Sequence, residues 1–226
     1  MTLLHRLADW FRKPPIATIE SLEAFLDSRA AFMAQKCVIE YCRARSGVLS
    51  MKLFKEPAFR EALHHSRWTT YALVYCDIAE MVEGVLRPPA RGKLNRLAER
   101  LAHLAERTFA SHGLPEGAPE DFWSDAVARL ERRLALAQLH APRPVRDIPK
   151  TEIEAILASV PIHPSLRGED FELLQNNLRI NLVRIYEDFV ARADRETLGA
   201  ELSRDLAAAP GVPSAQHRPP FAPSAE

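Results

Sequence analysis

Hydrophobic positions recur along most of this chain at three- and four-residue steps, the spacing that collects them on one face of an α-helix. Leu94, Leu97, Leu101, Leu104 and Thr108 form one such stripe in a helix predicted over 93–111, with Arg96, Glu99, Arg100 and Arg107 off it. Trp123, Val127, Leu130, Leu134 and Ala137 repeat the device over 120–140. Matching stripes joined by a short Pro- and Gly-rich loop predict an antiparallel helical hairpin over 93–140.

An earlier hairpin is predicted over 18–87. Thr18 is a good N-cap with Glu20 in the first turn, and Ser46-Gly47 ends the helix that it opens. Pro57 suits the first turn of the return helix, which runs up to Pro88-Pro89. In the connector, Val48, Leu49, Met51, Leu53 and Phe54 are expected to tuck against the end of the bundle. Farther on, the proline-rich 141–149 reads as a linker crossing the bundle, and Thr151-Glu152-Ile153-Glu154 reads as a capping box opening a helix over 151–159. Phe171, Leu174, Leu178, Leu182, Ile185 and Phe189 stripe a helix over 169–191, and Asp194 is placed to cap a last one over 195–208.

The two ends differ from this middle. Residues 2–13 predict a short amphipathic helix, with Leu3, Leu4, Leu7, Trp10 and Phe11 on one face and Pro14-Pro15 as its stop. Pro supplies five of the eighteen residues in 209–226, a tail expected to be disordered. The fold class that follows is all-α: an antiparallel bundle of about five to seven helices forming one domain over 18–208, with the N-terminal helix over 1–13 and the disordered C-terminal tail as appendages.

Composition sharpens this picture mainly by exclusion. Hydrophobic content of 47% and charged content of 27% suit a soluble globular protein, and only eight Gly with no run of short β-branched segments argue against a sandwich or barrel. Thirty basic and thirty acidic side chains cancel, so the overall basic surface of a nucleic-acid binder is missing, while partner binding or self-association meets little long-range repulsion. Arg129, Arg132 and Arg133 make a small basic patch, but Glu99, Glu106 and Glu131 interleave with such arginines at helical spacings, which reads as a solvated, salt-bridged face. The Arg- and Ala-rich usage is that of a GC-rich, bacterial genome. Cys37, Cys42 and Cys76 lie within helical patterns without CxxC or Cys/His spacing, and the odd count fits a reducing compartment, so they read as small buried hydrophobes. No apolar stretch approaches the roughly 20 residues of a membrane span, and His5, Arg6 and Asp9 interrupt any signal-peptide core. The expected location is the cytoplasm, with the inner face of the membrane as a variant.

Candidate chemistry concentrates in the hairpin over 18–87. Arg29, Lys36 and Glu40 fall on the apolar arc defined by Leu22, Phe25, Leu26, Phe32, Met33 and Cys37. Arg60, His64 and Arg67 continue the apolar line of Tyr71, Val74, Ile78 and Val82, with Asp77 at its edge. Antiparallel pairing proposes Glu40 with His64 or Arg67, and Arg29 with Asp77. Such groups are either partly buried ion pairs that fix register or a polar pocket for an anionic ligand. A metal site using Glu40, His64, His65, Asp77 and Glu80 is a third reading; the Glu-x-x-His pattern of carboxylate-bridged metal bundles occurs once, at Glu61 and His64, where two copies are needed. No metal, catalytic residue or cofactor is therefore predicted, and no nucleophile elbow, phosphate loop or dinucleotide fingerprint occurs. Asn177 and Asn181, near the Leu174–Leu178 stripe, suit inter-helix hydrogen bonds.

The function expected from these features is non-enzymatic: a helical-bundle protein that acts through a protein partner or homo-oligomer, with weak peripheral membrane contact through 2–13 and no nucleic acid. Leu3, Leu4, Leu7, Trp10 and Phe11 are the docking residues on that view. The alternative is a small-ligand or metal-binding bundle, catalytic in one version, using Arg29, Lys36, Glu40, His64, Arg67 and Asp77.

Overall fold

A computed structural model describes residues 13–90, 92–167, 170–204 and 221. Among these residues the chain is all-α: α1 (Ile19–Ser46), α2 (Ser50–Leu53), α3 (Pro57–Leu86), α4 (Leu94–His112), α5 (Phe122–Ala137), α6 (Ile153–Ser159), α7 (Pro164–Arg167), α8 (Phe171–Arg192) and α9 (Arg195–Leu202). The proposed N-terminal docking residues Leu3, Leu4, Leu7, Trp10 and Phe11 lie outside the described residues, as does the expected tail apart from Phe221, which is buried. None of the described helices is long and apolar enough to cross a membrane.

Local chemistry explains the element boundaries. Thr18 caps α1 by accepting from the Ser21 backbone, and the Ser21 hydroxyl accepts in return from the Thr18 backbone. Pro57 occupies the first turn of α3, where its missing N–H would have no helical partner. Gly113 ends α4 at a φ of 66°, a conformation that favours glycine. Asp194 caps α9 through the Thr197 N–H at 3.1 Å. The expected capping box at 151–154 does not form: Thr151 ends a 3₁₀ turn over Val145–Thr151, and Glu152 turns its carboxylate inward to Arg133.

The organising element is α3, which packs against α1, α4, α5, α6, α8 and α9. Every residue from Tyr71 to Glu83 is buried, as expected of a helix enclosed on all sides. α1 runs along α3 and antiparallel to α8: Phe25 meets Phe189, Cys37 meets Asn177, and Tyr41 donates to Asp170 at 2.7 Å. The hairpin of α4 and α5 matches its predicted stripes, with Leu97, Leu101, Leu104, Leu130 and Leu134 buried. α5 lies parallel to α3, as the pairs Trp68–Trp123, Asp77–Arg133 and Glu83–Gln138 show. Ile16 is clasped to the α8–α9 junction by its N–H on the Arg192 carbonyl at 3.0 Å and its carbonyl on the Asp194 N–H at 2.9 Å.

The hairpin tip departs from expectation. Leu53 and Phe54 pack on a small apolar cluster around Tyr41, Phe59 and Ile162, but Val48, Leu49 and Met51 are 97%, 65% and 77% exposed. The 3₁₀ turn Gly47–Leu49 and the short α2 that follows it carry these three side chains at the tip of the hairpin, outside the apolar clusters. All three cysteines are buried free thiols, and burial pushes each of them up to about 12.

One glycine reports how tightly α9 is seated. A Cβ on Gly199 would lie 2.7 Å from the Pro89 Cβ and 3.1 Å from its backbone carbon. Glycine to alanine inside a helix ordinarily stabilises by about 0.5–1 kcal/mol. Here Gly199→Ala is expected to destabilise by about 1–3 kcal/mol, because rigid ring and backbone atoms must move. Urea denaturation checks the sign; a gain in stability would contradict the packing described.

Candidate functional site

Three carboxylates project from the buried half of α3 at three-residue steps: Asp77, Glu80 and Glu83, which are 0%, 3% and 0% exposed. Three-residue spacing keeps them on neighbouring rows of the helix, facing α5 and the linker that precedes the Val145–Thr151 turn. Isolated carboxylates at such depth would be neutral or absent, and each is met by a guanidinium.

Arg133 on α5 is the hub. Its Nη2 donates to Asp77 Oδ1 at 2.6 Å, its Nε to Glu80 Oε2 at 2.6 Å and its Nη1 to Glu152 Oε1 at 3.0 Å. Nη2 also reaches the Ile148 carbonyl at 3.2 Å, which ties the linker to the core. Arg143, in the linker, grips Glu80 with two hydrogen bonds of 2.8 and 2.6 Å. Glu83 takes Arg87 Nε at 2.8 Å and the Gln138 amide at 3.0 Å, while Arg87 donates onward to the carbonyls of Ala137 and His140 at the end of α5.

The acids are not equivalent. Burial pushes Asp77 up to about 6 against the pull of Arg133, and its Oδ2 accepts no hydrogen bond among the described residues. Burial acts on Glu80 in the same sense, but Arg143 and Arg133 together hold it below the usual carboxylate range. Burial works against the charge on Arg133, yet Asp77 and Glu80 hold its proton more tightly than usual. The network therefore carries one carboxyl poised near neutrality beside one that stays ionised.

Against this network lies a cleft of about 650 Å³ between the end of α3, the proline linker and α8. Met81 and Val85 of α3, Pro142 and Pro144 of the linker, and Val183 and Val190 of α8 give it apolar walls. Glu80 and Arg143 form part of its lining, already paired to each other. Arg146 and Arg195 also line it, and neither makes an ion pair within 4 Å among the described residues. The linker is held close to α3: a Cβ on Gly84 would come within 3.2 Å of Pro142.

A second polar cluster sits nearer the start of α3. Tyr71 Oη donates to Asp27 Oδ1 at 2.5 Å, and His112 Nε2 lies 2.8 Å from the same oxygen. Burial together with the Asp27 charge drives the Tyr71 hydroxyl well above its ordinary range, so it remains a donor. Trp68, Phe109 and Trp123 surround it with rings.

The six residues singled out from sequence end up in different places. Arg29 pairs with Asp188 at 2.7 Å rather than with Asp77, because α8 rather than α3 lies along that side of α1; Lys13 and Arg192 share the same carboxylate. Lys36 and Glu40 face each other loosely at 3.9 Å on their own helix, and Glu40, half-exposed, does not reach His64 or Arg67. His64 accepts from Trp68 Nε1 at 3.0 Å, and Arg67 stands over the Phe221 ring at 4.2 Å. Asp77 belongs to the Arg133 network. Asn177 and Asn181 hydrogen-bond each other, and Asn177 meets Cys37 across the α1–α8 contact. Among the described residues no three His, Cys, Asp or Glu side chains gather as a metal-ligand set.

Sequence reasoning missed Arg133 and its neighbours Arg143, Glu152, Glu83 and Arg87, as well as Asp27 and His112. Arg133 looks like one of three arginines on a wet face, but its side chain is only 9% exposed, against 49% for Arg129. The available signal was helical phase: Arg133 sits beside Leu130 and Leu134 on the stripe, not opposite it. The chain matches no model of a known protein family, no curated protein and no solved structure.

The raised carboxyl gives a signed expectation. Asp77 titrates near 3.8 when unfolded and near 6 when folded, so between those values the folded state holds the extra proton. Its contribution to stability is therefore present at the acid side of that window and lost as pH rises through about 6. Relative to Asp77→Asn, which does not titrate, the wild-type unfolding free energy should fall by up to about 3 kcal/mol from pH 4 to pH 7. Paired urea melts across this range check it, and a flat or rising difference would contradict the assignment.

Proposed function

We propose that the protein is a non-enzymatic helical-bundle protein that works by binding a protein partner, and that the proline-walled cleft receives an apolar segment of that partner bearing an acidic group. The observation that carries this reading is the mismatch of charge around an apolar cleft. Its acids, Glu80 and Glu83, are committed to Arg143, Arg133 and Arg87, whereas Arg146 and Arg195 have no ion-pair partner among the described residues. An incoming carboxylate thus meets two guanidiniums that form no ion pair within 4 Å among the described residues, while its apolar neighbours meet valine, methionine and proline. The rigid linker adds to the reading, since a preformed wall lowers the ordering cost of binding.

A small amphipathic acid bound in the same cleft is the second reading, favoured by size: small-ligand pockets commonly span about 300–1,000 Å³. It keeps the idea of a ligand held by polar groups, now through Arg146 and Arg195 at the cleft in place of Arg29, Lys36 and Glu40 of the 18–87 hairpin. Either way the cytoplasm suits the protein, and three buried free thiols support a reducing compartment.

Calorimetric titration of the full chain with an acidic leucine-rich peptide, with dodecanoate and with dodecylamine separates these readings. The peptide should bind, dodecylamine should not, and Val183→Glu or Arg195→Glu should weaken the peptide by about tenfold or more. Binding of dodecanoate alone would favour the small acid. Equal binding of the amine, or indifference to both substitutions, would refute the cleft as the site.

A further inference from the structure

Phe221 is the one described residue beyond Arg204, and it is not at the surface: it is 5% exposed and packed on α3. Its ring meets Trp68 edge-on at 4.8 Å and Tyr71 at 6.1 Å, and the Arg67 guanidinium covers it at 4.2 Å. We propose that Arg67, Trp68 and Tyr71 form a recognition socket for a phenylalanine side chain, and that the protein's own Phe221 is its resident ligand.

The socket is built rather than incidental. Each ring is pinned by a hydrogen bond through its polar atom: Trp68 Nε1 donates to His64 Nε2 at 3.0 Å, and Tyr71 Oη donates to Asp27 at 2.5 Å. Trp123, which braces both at centroid distances of 5.7 and 6.2 Å, donates to the Gly113 carbonyl at 2.7 Å. Rings fixed in this way present their edges and faces without further loss of freedom when a partner ring arrives. Arg67 adds selectivity for an aromatic occupant. Its Nε is buried without a hydrogen-bond partner among the described residues, and burial lowers the group's pKa, so a ring face is the compensation that this cation receives.

The socket explains two of the residues singled out from sequence, His64 and Arg67. His64 positions Trp68, and Arg67 touches the ligand ring. Socket and cleft are separate sites: Arg67 and Glu80 stand about 20 Å apart along α3. The socket is therefore independent of the function proposed for the cleft.

The test uses the full chain carrying Phe221→Ala and a synthetic peptide of residues 217–226, with a second peptide having alanine at the phenylalanine position. Tryptophan fluorescence reports occupancy, because Trp68 contacts the ligand ring and neither peptide contains tryptophan. The phenylalanine peptide should saturate Phe221→Ala and bind it on the order of tenfold more tightly than the alanine peptide does. It should bind the wild-type chain at least tenfold more weakly, and adding Arg67→Met to Phe221→Ala should remove most of the preference. Should Phe221→Ala lose its helical circular dichroism, Phe221→Leu keeps the burial, and the same preference must appear at weaker affinity. Equal affinity for both peptides, no binding to either variant, or equal binding to wild type would overturn the proposal. Preference that emerges only with chain concentration, together with dimer formation, would overturn the intramolecular occupant in favour of a second copy's Phe221.

Discussion

A helix that is enclosed on every side and yet carries three acids sets the terms for the rest of this structure. From Tyr71 to Glu83 the central helix α3 has no wet face, so Asp77, Glu80 and Glu83 cannot be left to solvent. Removing the charge from water is costly and is offset only by well-aligned partners. Arg133, Arg143 and Arg87 supply them, and their positions fix what surrounds α3. Arg133 sets the rotation of α5, Arg143 pulls the proline linker over Glu80, and Arg87 caps the end of α5 while holding Glu83. Glu152 and the Ile148 carbonyl, drawn to the same guanidinium, place the Val145–Thr151 turn.

The cleft is a consequence of that arrangement. The linker, held to Glu80 by Arg143 and stiffened by prolines, borders an apolar gap between the end of α3 and α8, and the Glu80–Arg143 pair forms part of its lining. Ion pairs of this kind add little net stability by themselves, but they are intolerant of rearrangement, because any shift strands a buried charge. The cleft thus lies at the far end of α3, and the aromatic cluster of Trp68 and Tyr71 lies near the middle of the same helix.

Much of the fold was legible because amphipathic helices record their dry side. The stripes of α4, α5 and α8, the Thr18 and Asp194 caps, and the Pro57 start all follow from local rules that tertiary context leaves intact. The candidate site was legible only in part, since a wheel drawn on α3 assumes a wet face that its stretch from Tyr71 to Glu83 does not possess. Asp77 stood out as an edge charge, whereas Glu83 looked unremarkable. Arg29 pointed at a partner that the sequence could not identify, as nothing local says that α8 rather than α3 lines that side of α1. The 151–154 pattern is a capping box by its letters, but Thr151 is drawn into the 3₁₀ turn over Val145–Thr151, so the helix starts one residue later, at a Glu152 whose carboxylate faces Arg133. Phe221 sits in a segment whose composition says disorder, and nothing local in the sequence announces its ring contacts with Trp68 and Arg67 on α3.

The central claim is that Arg133 holds α3, α5 and the linker together by compensating buried acid. Equilibrium unfolding of Arg133→Met, which keeps the side chain's length and apolar stem but removes its charge, tests this most directly. The account predicts a loss of about 3–5 kcal/mol, the scale expected when one partner of a buried ion pair is removed, with most of it recovered when Asp77→Leu is added. A loss within about 0.5 kcal/mol, the range of an ordinary surface substitution, would show that the network is not what the fold depends on.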